Sequence, residues 1–122
     1  MSRILVIDDD EQVRALLSEI LRRAGHDVAE AVNGADGLAQ YQARPADLVI
    51  TDLIMPEKEG VETILELRKA YPTVRIIAIS GGGRAGPRNL LPIAAAVGAR
   101  RVIVKPFSRQ EILEAVRESL AA

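Results

Sequence analysis

Five short apolar runs recur along the chain: Ile4–Ile7, Val28–Val32, Leu48–Ile50, Val74–Ile79 and Val102–Val104. Their first residues stand 24, 20, 26 and 28 positions apart, which leaves room for a helix in each interval. Most runs are apolar at successive positions and do not alternate, the pattern of strands covered on both faces in a parallel sheet. Between them the period becomes helical. Val13, Leu16, Leu17, Ile20 and Leu21 stand at i, i+3, i+4, i+7 and i+8, and Gly25 closes the stripe. Ala35, Leu38 and Ala39 follow the turn residues Asn33-Gly34, and Val61, Ile64 and Leu65 precede Tyr71-Pro72. Ile112, Leu113, Val116 and Leu120 line the last segment, with Ser108 and Glu111 in capping-box spacing ahead of it. The fourth connection is the least regular. It runs Ser80-Gly81-Gly82-Gly83-Arg84-Ala85-Gly86-Pro87 before a helical stretch over Leu90–Val97, which must hold Pro92 in its first turn.

Strand and helix alternating in this way predict an α/β fold, a doubly wound five-stranded parallel sheet with helices on both faces. The pattern occupies all 122 residues without a repeat or a shift in composition, so residues 1–122 are expected to form one domain. With 48% hydrophobic and 27% charged residues the chain is too apolar and too balanced to be disordered. The absence of Cys excludes a disulfide framework, a thiolate metal site and a cysteine nucleophile. The longest apolar stretch, Leu90–Ala99, contains Pro92 and falls well short of the ~20 residues that span a bilayer. The first run ends in three aspartates, unlike a signal peptide. A cytoplasmic protein with no membrane insertion is therefore expected.

The net charge of −1 gives no reason to expect nucleic acid as a partner, but it hides a division. Residues 67–110 hold nine basic residues and no acid, while the remainder holds seven basic and seventeen acidic residues. A basic face of this kind would suit a partner with an acidic docking surface.

In open parallel sheets ligands gather at the carboxyl ends of the strands. Here those ends carry Asp8-Asp9-Asp10, Thr51-Asp52, Ser80, and Lys105 followed by Pro106. Asp10 and Glu11 are accounted for as the cap and first turn of a helix. Asp8 and Asp52 are not, and clustered like charges repel unless a cation or a lysine neutralises them. Carboxylates without His or Cys nearby suit Mg²⁺, which prefers oxygen ligands and usually handles phosphate. A carboxylate can attack phosphorus to give an aspartyl phosphate, with the metal and Lys105 neutralising charge on the transferred group. The Ser80 hydroxyl could donate to a phosphoryl oxygen. Asp52 is isolated enough to be the nucleophile.

Ile4-Leu5-Val6-Ile7-Asp8-Asp9-Asp10, then Asp52-Leu53-Ile54-Met55-Pro56 with Gly60, then Ser80, then Lys105-Pro106-Phe107 together resemble the receiver domain of two-component response regulators. The resemblance covers essentially the whole chain. It implies the flavodoxin-like strand order 2-1-3-4-5 and a stand-alone response regulator that acts as a signalling protein, not as an enzyme. Asp52 would accept a phosphoryl group from a phosphohistidine of a sensor histidine kinase or histidine phosphotransfer protein. Asp9 and Asp52 would ligate Mg²⁺, with the backbone carbonyl of Ile54 as a third protein ligand and Asp8 acting mainly through water. Lys105 would pair with a phosphoryl oxygen, and Ser80 would move toward the phosphate to switch a surface for a downstream protein target. The Lys105–Pro106 bond is expected to be cis.

The chain also departs from the family pattern. Val102 stands where members commonly carry an aromatic residue, and Gly81-Gly82-Gly83 follow the switch hydroxyl, so a glycine-hinged loop is expected to replace the aromatic switch. The resemblance implies that side chains at the positions of Ile54 and Gly82 influence the attacking water; neither offers a polar group to hold it, which predicts a long-lived phosphoryl group. The chain ends in Leu120-Ala121-Ala122 with no output domain after it, so its effect is expected to pass through protein contact. Two other readings start from the same residues: a pseudo-receiver that binds partners without phosphorylation, and a remote one, a phosphatase built on Asp8-x-Asp10. A dinucleotide site at Gly81, Gly83 and Gly86 is excluded, because no acid occurs between Glu66 and Glu111. His26 is expected on a surface loop, and Tyr41, Met55, Tyr71 and Phe107 in packing.

Overall fold

A computed structural model of the chain describes residues 2–53, 60–80 and 98–121. Its elements are β1 (Arg3–Ile7), α1 (Glu11–Arg23), β2 (Asp27–Ala31), α2 (Gly34–Ala43), β3 (Leu48–Asp52), α3 (Gly60–Ala70), β4 (Ile76–Ser80), β5 (Arg101–Val104) and α4 (Arg109–Ala121). The five strands form one sheet in the order β2-β1-β3-β4-β5, with every neighbouring pair parallel. The strand order is the one the resemblance implied. The expected Leu90–Val97 helix, the Gly81–Gly83 loop and Ile54 lie outside the described residues.

Consecutive apolar residues in the strands serve two cores. Ile4 and Val6 of β1, Leu48 and Ile50 of β3, Ile77 and Ile79 of β4 and Ile103 of β5 point to one face, against Leu17, Ile20 and Leu21 of α1 and Ile112, Ala115 and Val116 of α4. Leu5 and Ile7, Val49, and Ile76 and Ala78 point to the other, against Tyr41 of α2 and Ile64 and Leu67 of α3. Side chains alternate along a strand, so only an unbroken apolar run can fill both layers. Val102, the departure from the family pattern, packs against this second core.

The helix ends follow local chemistry. Asp10 caps α1, its carboxylate accepting from the N–H groups of Gln12 and Val13. At the other end Gly25 takes φ +96, while the Gly25 and His26 N–H groups return to the carbonyls of Arg22 and Leu21. This is a Schellman closure, which glycine permits. Asn33 caps α2. The capping box of α4 forms in both directions, Glu111 Oε1 accepting from Ser108 N at 2.9 Å and Ser108 Oγ from Glu111 N at 3.1 Å.

Some inward assignments are corrected. Leu16 and Leu65, counted in the apolar stripes, are 49% and 50% exposed, while Ser18, Thr63, Ala115 and Ser119 face inward. A helix lying on a sheet presents a narrow strip, and small residues let its backbone approach. No helix among the described residues is long and apolar enough to cross a membrane.

Candidate functional site

The register brings distant acids together. Ile7 pairs with Thr51, so the next residues, Asp8 and Asp52, leave adjacent parallel strands at the same edge. Asp52 pairs with Ile79 and Ser80 with Val104, which brings Ser80 and Lys105 to that edge as well. Ser80 is placed there by its backbone alone. The Lys105–Pro106 peptide is cis, as expected from the resemblance.

Asp8 is fully buried and Asp52 is 6% exposed, whereas Asp9 is open to solvent. Lys105 Nζ reaches Asp52 Oδ2 at 3.0 Å and stands 3.7 Å from Asp8 Oδ2. Burial pushes the Asp8 carboxyl up from 3.8 to about 6. The N–H of Asp10, which donates to Asp8 Oδ1 at 2.8 Å, opposes that shift, the charge of Asp52 adds to it, and the charge of Lys105 opposes it. Burial alone would lower the Lys105 ammonium. The hydrogen bond and charge of Asp52, with the charges of Asp8 and Asp10, outweigh burial and raise its pKa above the ordinary lysine value. Lys105 therefore stays protonated beside the acids.

Carboxylate oxygens of Asp8, Asp9 and Asp52 lie within 4.8 Å of one another. Asp8 Oδ2 is buried and has no hydrogen-bond donor among the described residues. A buried carboxylate oxygen without a donor is costly, and a hydrated hard cation would satisfy it directly or through water. The donor set is all oxygen, the kind Mg²⁺ takes. The three acids therefore fit such an ion.

Asp8, Asp9, Asp52 and Lys105 are brought together as the sequence predicted; Asp10 serves as the cap. Sequence reasoning missed Arg14 and Glu30. Arg14 Nη1 donates to the Asp8 carbonyl at 2.9 Å and its Nε to Glu30 Oε1 at 3.2 Å. A signal was present: a cation in the first turns of a helix runs against the macrodipole. His26, expected on a surface loop, is half-buried and its Nδ1 accepts from Ser2 N at 3.3 Å.

Residues 4–117 match the family model described as "Response regulator receiver domain". The chain is 35% identical over 117 residues to the chemotaxis protein CheY of Thermotoga maritima, covering 95% of both chains. It is 36% identical over 119 residues to the CheY of Bacillus subtilis, with 97% of each covered. Among solved structures, the receiver domain of NtrX from Brucella abortus superposes with a TM-score of 0.92 at 28% identity, over 98% of both chains. A response regulator receiver domain protein from Clostridium thermocellum gives 0.90 at 27% identity, covering 99% of this chain and 95% of that one. With the strand order, the acidic edge and these likenesses in agreement, the chain belongs to the response regulator receiver family of two-component signalling.

Proposed function

We propose that residues 1–122 act as one receiver domain whose Asp52 accepts a phosphoryl group from a phosphohistidine on a sensor histidine kinase or phosphotransfer protein. The observation that carries this reading is the Asp52 carboxylate, nearly buried at the sheet edge, 3.0 Å from the Lys105 ammonium and flanked by Asp8 and Asp9. An Asp52 oxygen attacks phosphorus as the phosphorus–nitrogen bond breaks, and the departing electron pair stays on the imidazole nitrogen, which takes up a proton. Asp9 and Asp52, with the Ile54 carbonyl, would hold Mg²⁺, and Asp8 would act through water. Such an ion would supply positive charge against the phosphoryl group, which otherwise approaches three carboxylates. Lys105 stays protonated and contacts a phosphoryl oxygen, and Ser80, ending the neighbouring strand, supplies the switch hydroxyl.

In this reading the chain is a phospho-acceptor in the cytoplasm, without enzymatic turnover, and passes its state to a protein target. The basic segment supports an acidic docking surface on that target through Lys69, Arg100 and Arg109, which are exposed. Other members of the segment have structural partners: Arg68 with the carbonyls of Pro72 and Gly98, and Arg101 with Glu118.

Incubation with acetyl phosphate and Mg²⁺, read by intact mass, tests the proposal. One hydroxylamine-sensitive phosphoryl adduct per chain is expected, absent in Asp52→Asn and absent when a chelator replaces Mg²⁺ from the start. An adduct that persists in Asp52→Asn, or none in the wild type, would overturn it. Sustained release of many equivalents of phosphate would favour a phosphatase instead.

A further inference from the structure

Arg14 does not point into solvent as a cation near a helix start ordinarily would. Its side chain is 14% exposed and bridges two elements. Nη1 donates to the carbonyl oxygen of Asp8 at 2.9 Å, and Nε donates to Glu30 Oε1 of β2 at 3.2 Å. The Asp8 N–H donates to the Ala31 carbonyl at 3.1 Å. The end of β1 is thus tied to β2 twice, once directly and once through Arg14 and Glu30. Arg22 Nη2 reaches the other Glu30 oxygen at 3.4 Å, so the acid is held from both sides.

The carbonyl that Arg14 grips belongs to the peptide joining Asp8 to Asp9. The orientation of that peptide sets the direction in which the Asp9 side chain leaves the backbone. Asp8 has its own restraints, namely burial and the Asp10 N–H. Asp9 is exposed, and its carboxylate makes no hydrogen bond or ion pair among the described residues. Its position depends on the backbone beneath it.

We infer that Arg14 is a positioning residue for the divalent-cation site, holding the Asp8–Asp9 peptide so that the Asp9 carboxylate faces those of Asp8 and Asp52 before the ion arrives. This rests on the Mg²⁺-dependent reading given above. The bridge needs an arginine because it uses two nitrogens of one planar fork, which the single nitrogen of lysine cannot span. Glu30 orients Arg14, and Arg14 orients the backbone of a ligand. Outer partners of this kind commonly change metal affinity by about 10–100-fold when removed.

Mg²⁺ titrated calorimetrically into the full chain, with no phosphodonor present, separates the possibilities. Arg14→Lys, which keeps the charge, should weaken binding about tenfold, as should Glu30→Ala. Glu30→Gln keeps an oxygen toward Arg14 and should stay within about threefold of wild type. If Arg14→Lys does not fold, the two Glu30 variants carry the same comparison. Wild-type affinity in Arg14→Lys and Glu30→Ala, with only the thermal midpoint lowered, would make the bridge structural and overturn the inference. A wild-type chain that binds no Mg²⁺ would overturn the metal reading beneath it.

Discussion

Asp8 is a carboxylate kept where burial works against its charge. Its pKa of about 6, against 3.8 for an ordinary aspartate, corresponds to about 3 kcal/mol of preference for the protonated form in the folded state. The folded chain therefore holds this proton more tightly than the unfolded chain. The stability it confers is fully present below 3.8 and is lost as pH rises through about 6. At neutral pH the ionised Asp8 is a cost, which Lys105 at 3.7 Å offsets only in part. With divalent ions chelated, Asp8→Asn should stabilise the fold by about 1–3 kcal/mol at pH 7.5, and the gain should shrink toward zero near pH 4. Urea unfolding at the two pH values measures it. An Asp8→Asn variant no more stable than wild type at pH 7.5 would mean that Lys105 already compensates the buried charge. A site that works against stability for the sake of a ligand is expected where function overrides packing.

At the scale of elements, α2 and β1 meet through a glycine. A Cβ at Gly37 would fall on Ile7 Cδ1 and lie 2.8 Å from Ile7 Cγ1, and Ile7 is itself fully buried. Alanine there improves helix propensity by about 1 kcal/mol, but overpacking a filled core costs about 1–3 kcal/mol. Gly37→Ala should therefore lower stability by about 1 kcal/mol net, and Ile7→Val in the same chain should recover part of the loss. Strictly additive effects in the double mutant would disprove the contact. The sequence reading located every described strand to within two residues, because apolar runs of this length must be covered on both faces. It misjudged Leu16 and Leu65, which are half-exposed, and passed over Ser18 and Thr63, which are buried. Hydrophobicity marks which side of a helix faces in, but the width of the strip and the small residues inside it depend on how closely the helix approaches the sheet. Asp8, Asp52 and Lys105 were legible because parallel strands deliver their ends to one edge. Arg14 showed only as a cation set against its helix dipole, and Glu30 not at all, because Arg14 reaches Asp8 through a backbone carbonyl and meets Glu30 only through the register of β1 against β2.

Across the whole molecule the acids at one sheet edge and the stability of the fold are coupled. The ends of β1 and β3 carry the acids, and these two adjacent interior strands send side chains into the cores on both faces of the sheet. A cation that binds the folded arrangement and not the unfolded chain stabilises the whole domain by mass action, about 2.7 kcal/mol at 100 times its dissociation constant. At pH 7.5 Mg²⁺ should therefore raise the urea midpoint of the wild-type chain, with a smaller rise at pH 5, where protons compete for Asp8. Sodium chloride at equal ionic strength should not reproduce the effect, since screening weakens repulsion between carboxylates without occupying the space between them. In Asp52→Asn the Mg²⁺ response should largely disappear, because a ligand oxygen and its charge are lost together. The same midpoint with Mg²⁺ as with sodium chloride would mean that the three acids are held together by Lys105 and the fold alone.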